Sequence, residues 1–176
     1  MRKFNKQKLI DSMTGALKLR SQINDVIDPL FKGITNICWL GIGGTYASGM
    51  QANIHMKEKS GLETFYQNAA EYNVTGNKRI TDKTLVVISS VTGNTKEMVD
   101  AVKNLNQVGA IILGFMDDPH AKLASMLTYC ISYPENEQLK FFMVGDRLMY
   151  LNGEFPDYDE FYQEMDQHFA KDIADI

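Results

Sequence analysis

The chain has 176 residues, a formal net charge of −4, 44% apolar and 23% charged residues, which supplies core for one packed domain and excludes a disordered chain. It contains no run of about 18 apolar residues, which excludes a membrane-spanning helix, and no apolar stretch follows the basic N-terminus to make it read as a secretory signal. Two cysteines, Cys38 and Cys130, stand far apart, so no zinc site or disulfide framework is expected and a reducing cytoplasm is the expected setting.

In chain order, residues 4–28 carry Leu9, Ile10, Met13, Leu17, Ile23 and Ile27 at helical spacing, predicting one helix that Asp28-Pro29 stops. The run 37–42 predicts a strand buried on both faces, and a helix follows over 45–60, up to Gly61. Residues 63–66 predict a second strand, and Asn68 caps a short helix through Tyr72. Residues 85–88 are the clearest strand, followed by a hydroxyl-rich loop and a helix over 95–108 with Met98, Val99, Val102 and Leu105 on one face. A fourth strand is predicted at 110–115, a short helix from Asp117-Asp118-Pro119, a fifth strand at 127–132 and a longer helix over 137–151. The segment from Glu154 to Asp175 holds eight acids against Lys171 alone and reads as a solvated amphipathic helix. The remainder has 17 bases and 14 acids but no basic stripe interleaved with aromatics, so nucleic-acid binding is not expected.

Alternating apolar strands and helices predict an α/β fold, a three-layer αβα sandwich around a five-stranded parallel sheet. Ligands of such sheets bind at the carboxyl ends of the strands, where two unusual loops fall. In the first, Gly41-Ile42-Gly43-Gly44-Thr45-Tyr46, glycines let backbone N–H groups approach a ligand at a helix start. Tyr46 stands at the third glycine position of a dinucleotide fingerprint, so that motif fails and no nucleotide cofactor is expected. The second, Ser90-Val91-Thr92-Gly93-Asn94-Thr95, offers three hydroxyls around a glycine and no Lys or Arg. One hydroxyl suffices to cap a helix. Three fit a neutral nest for a phosphate monoester, held by N–H groups, hydroxyls and the helix dipole.

The pairing of Gly-x-Gly-Gly-Thr with Ser-x-Thr-Gly-Asn-Thr resembles the sugar isomerase (SIS) domain, a flavodoxin-like fold that binds sugar phosphates, over about residues 37–151. Within that family it is similar to fructosamine 6-phosphate deglycases. They carry Asn at the position of Asn94, and 140–144 and 150–155 also resemble them. The resemblance implies that the hydroxyls of Thr45, Ser90, Thr92 and Thr95 hold the phosphate, that the backbones of Gly44 and Val91 add N–H groups, and that Gly43, Gly93 and Asn94 belong to the same substrate-binding loops. It implies pairing into a homodimer and a sugar 6-phosphate ligand. It further implies a division into a helical segment at 1–34, a SIS domain at 35–153 and a linker helix at 154–176 leading to a second SIS domain that supplies the proton-shuttling Glu and His.

The family chemistry moves a proton between C1 and C2 through an enediol or enolamine, which needs a positioned carboxylate. Two candidates stand in this chain, Glu58 and Glu71, each also readable as a solvated helix carboxylate. Glu58 is the base expected of a single-domain isomerase; a module that senses a sugar phosphate without catalysis is the other alternative. His55 and His120 have no partner at metal or triad spacing, so no metal is expected. A flavodoxin has a similar phosphate loop, but after its first strand, whereas here it begins at Ser90.

Overall fold

The structure, a computed structural model, describes residues 5–174. Its strands are β1 (Asn36–Gly41), β2 (Thr64–Asn68), β3 (Thr84–Ser90), β4 (Ile111–Met116) and β5 (Tyr129–Ser132). They form one sheet in the order β2-β1-β3-β4-β5, with every pair parallel. Side chains alternate across each strand, and here both faces are apolar. Ile37, Trp39, Leu85, Val87, Leu113 and Phe115 join one core. Cys38, Leu40, Val86, Ile88, Ile112 and Met116 join the other. Two-sided burial explains why the strands read in the sequence as continuous apolar runs rather than alternating ones.

The first core is covered by α1 (Lys6–Leu17), α2 (Arg20–Leu30), α3 (Gly44–Lys57), α6 (Glu137–Leu151) and α7 (Tyr158–Ala174); the second by α4 (Ala69–Thr75) and α5 (Lys96–Val108). The α/β sandwich with a five-stranded parallel sheet is therefore as expected. In α5 the stripe Met98, Val99, Val102 and Leu105 is buried, and the helix ends at Gly109 in the left-handed conformation. Asn68 caps α4, its side chain accepting from the N–H groups of Ala70 and Glu71.

Three local expectations are corrected. The single helix over 4–28 is two helices, broken at Lys18 and Leu19; residue 4 lies outside the described residues. The break lets α1 pack on α7 while α2 packs on α6, a tertiary demand that periodicity does not register. Pro29 does not stop α2, which runs on to Leu30. A proline in a last turn removes one helical hydrogen bond, and the bond from the Phe31 N–H to the Ile27 carbonyl survives. The short helix expected from Asp117 is absent: 117–123 are bends and turns leading to one 3-10 turn, Ala124–Met126. There the Asp118 carboxylate accepts from the His120 N–H at 2.8 Å, the local turn that competes with a helix, and the Leu123 N–H is drawn to the Gly93 carbonyl at 3.0 Å.

The acidic segment is helical from Tyr158, with Tyr158 and Tyr162 each only 1% exposed against α2 and α6. Residues 175 and 176 lie outside the described residues.

Candidate functional site

The chain leaves β1 toward β2 on one side and β3 toward β4 on the other, so the strand order reverses between β1 and β3. Ligands of open α/β sheets bind at such a switch point, outside the carboxyl ends of the strands. The two glycine loops lie at those ends on these adjacent strands, and the helices they open, α3 and α5, cover opposite faces. Their N-termini thus flank one crevice, which neither sequence loop alone could establish.

The first loop is shaped by close packing. A Cβ on Gly41 would stand 2.5 Å from the Tyr46 backbone nitrogen, so only glycine lets the strand end touch the helix start. Gly43 precedes the helix with φ +59°, and neither it nor any other side chain caps α3. The Thr45 hydroxyl turns back to Ile42, 3.0 Å from both its N–H and its carbonyl. It closes its own turn, leaving the first-turn N–H groups of α3 directed at the crevice.

In the second loop Ser90 is buried and its hydroxyl accepts from the Gly93 N–H at 3.0 Å, which leaves its proton for an incoming acceptor. Thr92 accepts from the Asn94 N–H at 3.3 Å, and the Asn94 amide donates to the Thr92 carbonyl at 2.9 Å. Val91 and Thr92 are exposed at the tip. Thr95 occupies the N-cap of α5 without making a side-chain capping bond, so the first-turn N–H groups of α5 are left without a side-chain cap. Gly93 has φ +60°. The nearest cation along the chain, Lys96, is held by Asp100 at 3.0 Å. The arrangement brings together N–H groups, hydroxyls and two helix starts, a combination that can take up an anion without a cationic side chain.

The carboxylate candidates fall apart. Glu58 is the C-cap of α3, 13 residues beyond Thr45 and roughly 20 Å along the helix, at the opposite edge of the sheet. Glu71 lies in the first turn of α4, on the same edge as the loops, and accepts from the Gln67 amide at 3.1 Å. Beside it the rings of Tyr46 and Tyr66 meet edge-to-face at 5.6 Å. Desolvation raises the Tyr46 phenol above its ordinary range, with Tyr66 and Glu71 adding to it.

Sequence reasoning missed three members of this edge. Tyr66 comes from β2 and meets Tyr46 only through the β1–β2 pairing. Asp117 follows β4, whose Met116 is in register with Ser90, and desolvation pushes its carboxyl upward against the pull of Lys140. Lys140 is itself buried, donating to the Tyr133 carbonyl at 2.9 Å, and burial lowers its ammonium. A lysine inside a helical pattern carried no signal of its burial. Among the described residues, no group of His, Cys, Asp and Glu that could hold a metal ion occurs, and no helix is long and apolar enough to cross a membrane.

Residues 31–146 match the SIS domain family. The chain belongs to that family. Solved structures similar to this SIS domain include a protein assigned by inference as a phosphosugar isomerase from Salmonella typhimurium LT2, at 15% identity and TM-score 0.72, covering 84% of this chain and 49% of that one. Another is the C-terminal domain of glucosamine-fructose-6-phosphate aminotransferase from Francisella tularensis, at 12% identity and TM-score 0.75, with 92% and 51% covered. A third, from E. coli CFT073 and solved in complex with a sugar phosphate, has 15% identity and TM-score 0.70, with 90% and 100% covered. The SIS domain spans about half the length of the first two. At these identities the likeness is one of fold. No curated protein matches the sequence at a significant level.

Proposed function

We propose that this SIS domain binds a sugar 6-phosphate at the paired loops, as one half of a phosphosugar isomerase or fructosamine 6-phosphate deglycase. The observation that carries the reading is the convergence of two uncapped helix starts and the hydroxyls of Ser90, Thr92 and Thr95 at the switch point of the sheet. The phosphate sits in the nest, its oxygens taking the N–H groups of Gly44 and Val91 and the free hydroxyl protons. Thr45, with Gly43, Gly93 and Asn94, holds the two turns in shape. Binding the remote phosphate fixes the reacting carbons, and the carboxylate that moves the proton between C1 and C2 comes chiefly from a second SIS domain or a dimer partner.

The deglycase branch is favoured by the other end of the crevice. Glu71 with the faces of Tyr46 and Tyr66 suits a cationic amine, through charge and ring quadrupole together. Asn94 agrees with that branch. Glu71 positions the amine in this reading, and its exposure and its bond to Gln67 suit it to binding more than to proton transfer.

Thermal shift with fructose 6-phosphate, glucose 6-phosphate, inorganic phosphate and FMN tests the site, on the wild type and on Thr92→Ala/Thr95→Ala. A ligand at 100 times its dissociation constant stabilises by about 2.7 kcal/mol, several degrees for a chain of this size. The expected result is a shift with the sugar phosphates that the double substitution abolishes. A shift with FMN alone, or none with any sugar phosphate, overturns the reading.

A further inference from the structure

On the helical face away from the phosphate crevice, α1, α3, α6 and α7 enclose an open cavity of about 450 Å³, within the range of small-molecule sites. Its walls are largely apolar, with Phe142, Phe161 and Met165 prominent, and His55, Asp146 and Tyr162 stand at one end. The polar end is tightly built. The His55 Nε2 lies 2.6 Å from Asp146 Oδ1, and the Tyr162 hydroxyl donates to Asp146 Oδ2 at 2.6 Å. Asp146 is almost fully buried, and the imidazole stacks on Phe142 at 4.7 Å between centroids.

These contacts orient the imidazole. An ionised carboxylate only accepts hydrogen bonds, so Nε2 carries a proton toward Asp146, and in the neutral ring that is the only N–H. Nδ1 is then a lone-pair acceptor, and it has no protein partner among the described residues. That acceptor stands at one end of a mostly apolar cavity whose remaining polar lining is Asn136 and Gln138, the Gln138 amide nitrogen buried without a partner. The combination suits a ligand with a hydroxyl on an apolar body, which can donate to Nδ1 and accept from an amide. A carboxylate would oppose the Asp146 charge, whereas a neutral O–H can donate to the Nδ1 lone pair. The aromatic walls favour a ring in the body of the ligand.

We propose that this cavity is a second binding site, for a neutral apolar alcohol or phenol, separate from the sugar phosphate site. His55 lies ten residues beyond Thr45 on α3, roughly 15 Å along the helix, so the two sites can be occupied together. The pair Asp146 and Tyr162 are positioning residues that hold the imidazole. His55 is the residue that touches the ligand.

The test titrates the full chain with 4-ethylphenol and with 4-ethylanisole, the same body with the donor methylated, following amide and imidazole nitrogen resonances. The expected result is saturable binding of the phenol about tenfold tighter than the anisole, with the His55 Nδ1 resonance shifting on saturation by the phenol alone. In His55→Phe, which keeps a ring against Phe142, the preference between the two probes disappears. Equal affinity for the two probes, no saturable binding of the phenol, or an unmoved Nδ1 resonance overturns the proposal. The Nδ1 readout is taken on the wild type and stands if His55→Phe does not fold.

Discussion

Gly93 joins the two requirements of the proposed phosphate loop in one residue. Its φ of +60° lies where a side chain is strained, and a Cβ there would stand 2.2 Å from the Ala121 Cβ. Left-handed strain is about 1–3 kcal/mol for a non-glycine residue, and the overlap must be relieved by moving 117–123. Gly93→Ala is therefore expected to lose about 3 kcal/mol in urea unfolding, together with the thermal shift by fructose 6-phosphate. Adding Ala121→Gly removes the overlap but not the strain, so it should recover about half of the loss. Full recovery, or no loss at all, would contradict this account. The hydroxyls of the proposed nest stand out in the sequence because three of them crowd one glycine. What could not be read was their division of labour. That Thr45 bonds within its own turn, that Asn94 folds onto Thr92, and that Tyr66 reaches Tyr46 all depend on backbone geometry or strand register.

Among elements, the strands were the most legible, because burial on both faces leaves an apolar run that a polar loop ends. Their limits slipped where burial continues under polar residues: Ser89 and Ser90 are buried within β3, although they read as loop. The break between α1 and α2 was hidden, since both arms carry helical periodicity and what separates them is that α1 packs mainly on α7 and α2 on α6. Another long-range tie links the turn after α3 to the turn between α6 and α7. Glu154 accepts from the Ser60 hydroxyl and, at 2.8 Å, from the Gly61 N–H. Burial works against its ionisation, but these bonds and one with Asn152 hold the carboxyl below its ordinary range. A depressed carboxyl contributes stability above its unfolded value, near 4.5, and loses it as pH falls through the folded value. Glu154→Gln should lower stability at pH 7 by about 1 kcal/mol, the scale of a partly solvated charge-assisted bond. The two proteins should converge as pH falls from 4.5 through the lower folded value, because protonation removes the same bonds from the wild type. A constant difference from pH 7 to pH 3 would mean that packing, not charge, is what the substitution removes.

For the whole molecule, the question is whether α7 is part of the domain or a connection leading from it. The acidic outer face argues for a solvated connector, whereas the inner face argues for the core. Tyr158 donates to Asn24 at 3.0 Å and lies 5.4 Å from the Arg147 guanidinium; Arg20 lies 4.9 Å from the Tyr162 ring and pairs with Asp166. Each buried aromatic contributes about 1.5–3 kcal/mol, and Asp146 would lose its bond to Tyr162, another ~1 kcal/mol. Ending the chain at Gly153 is therefore expected to lower stability by about 4 kcal/mol, with a smaller denaturant slope because less surface is buried. The sheet, both glycine loops and the starts of α3 and α5 lie outside this contact. Affinity for fructose 6-phosphate, measured by calorimetry well below the melting transition, should consequently match that of the full chain. A truncated chain as stable as the full one would make α7 a connector alone. Lost affinity in a truncated chain that is still folded would mean that the helical face and the phosphate crevice are coupled through α6, the element that touches α7 on one side and the carboxyl edge of the sheet on the other.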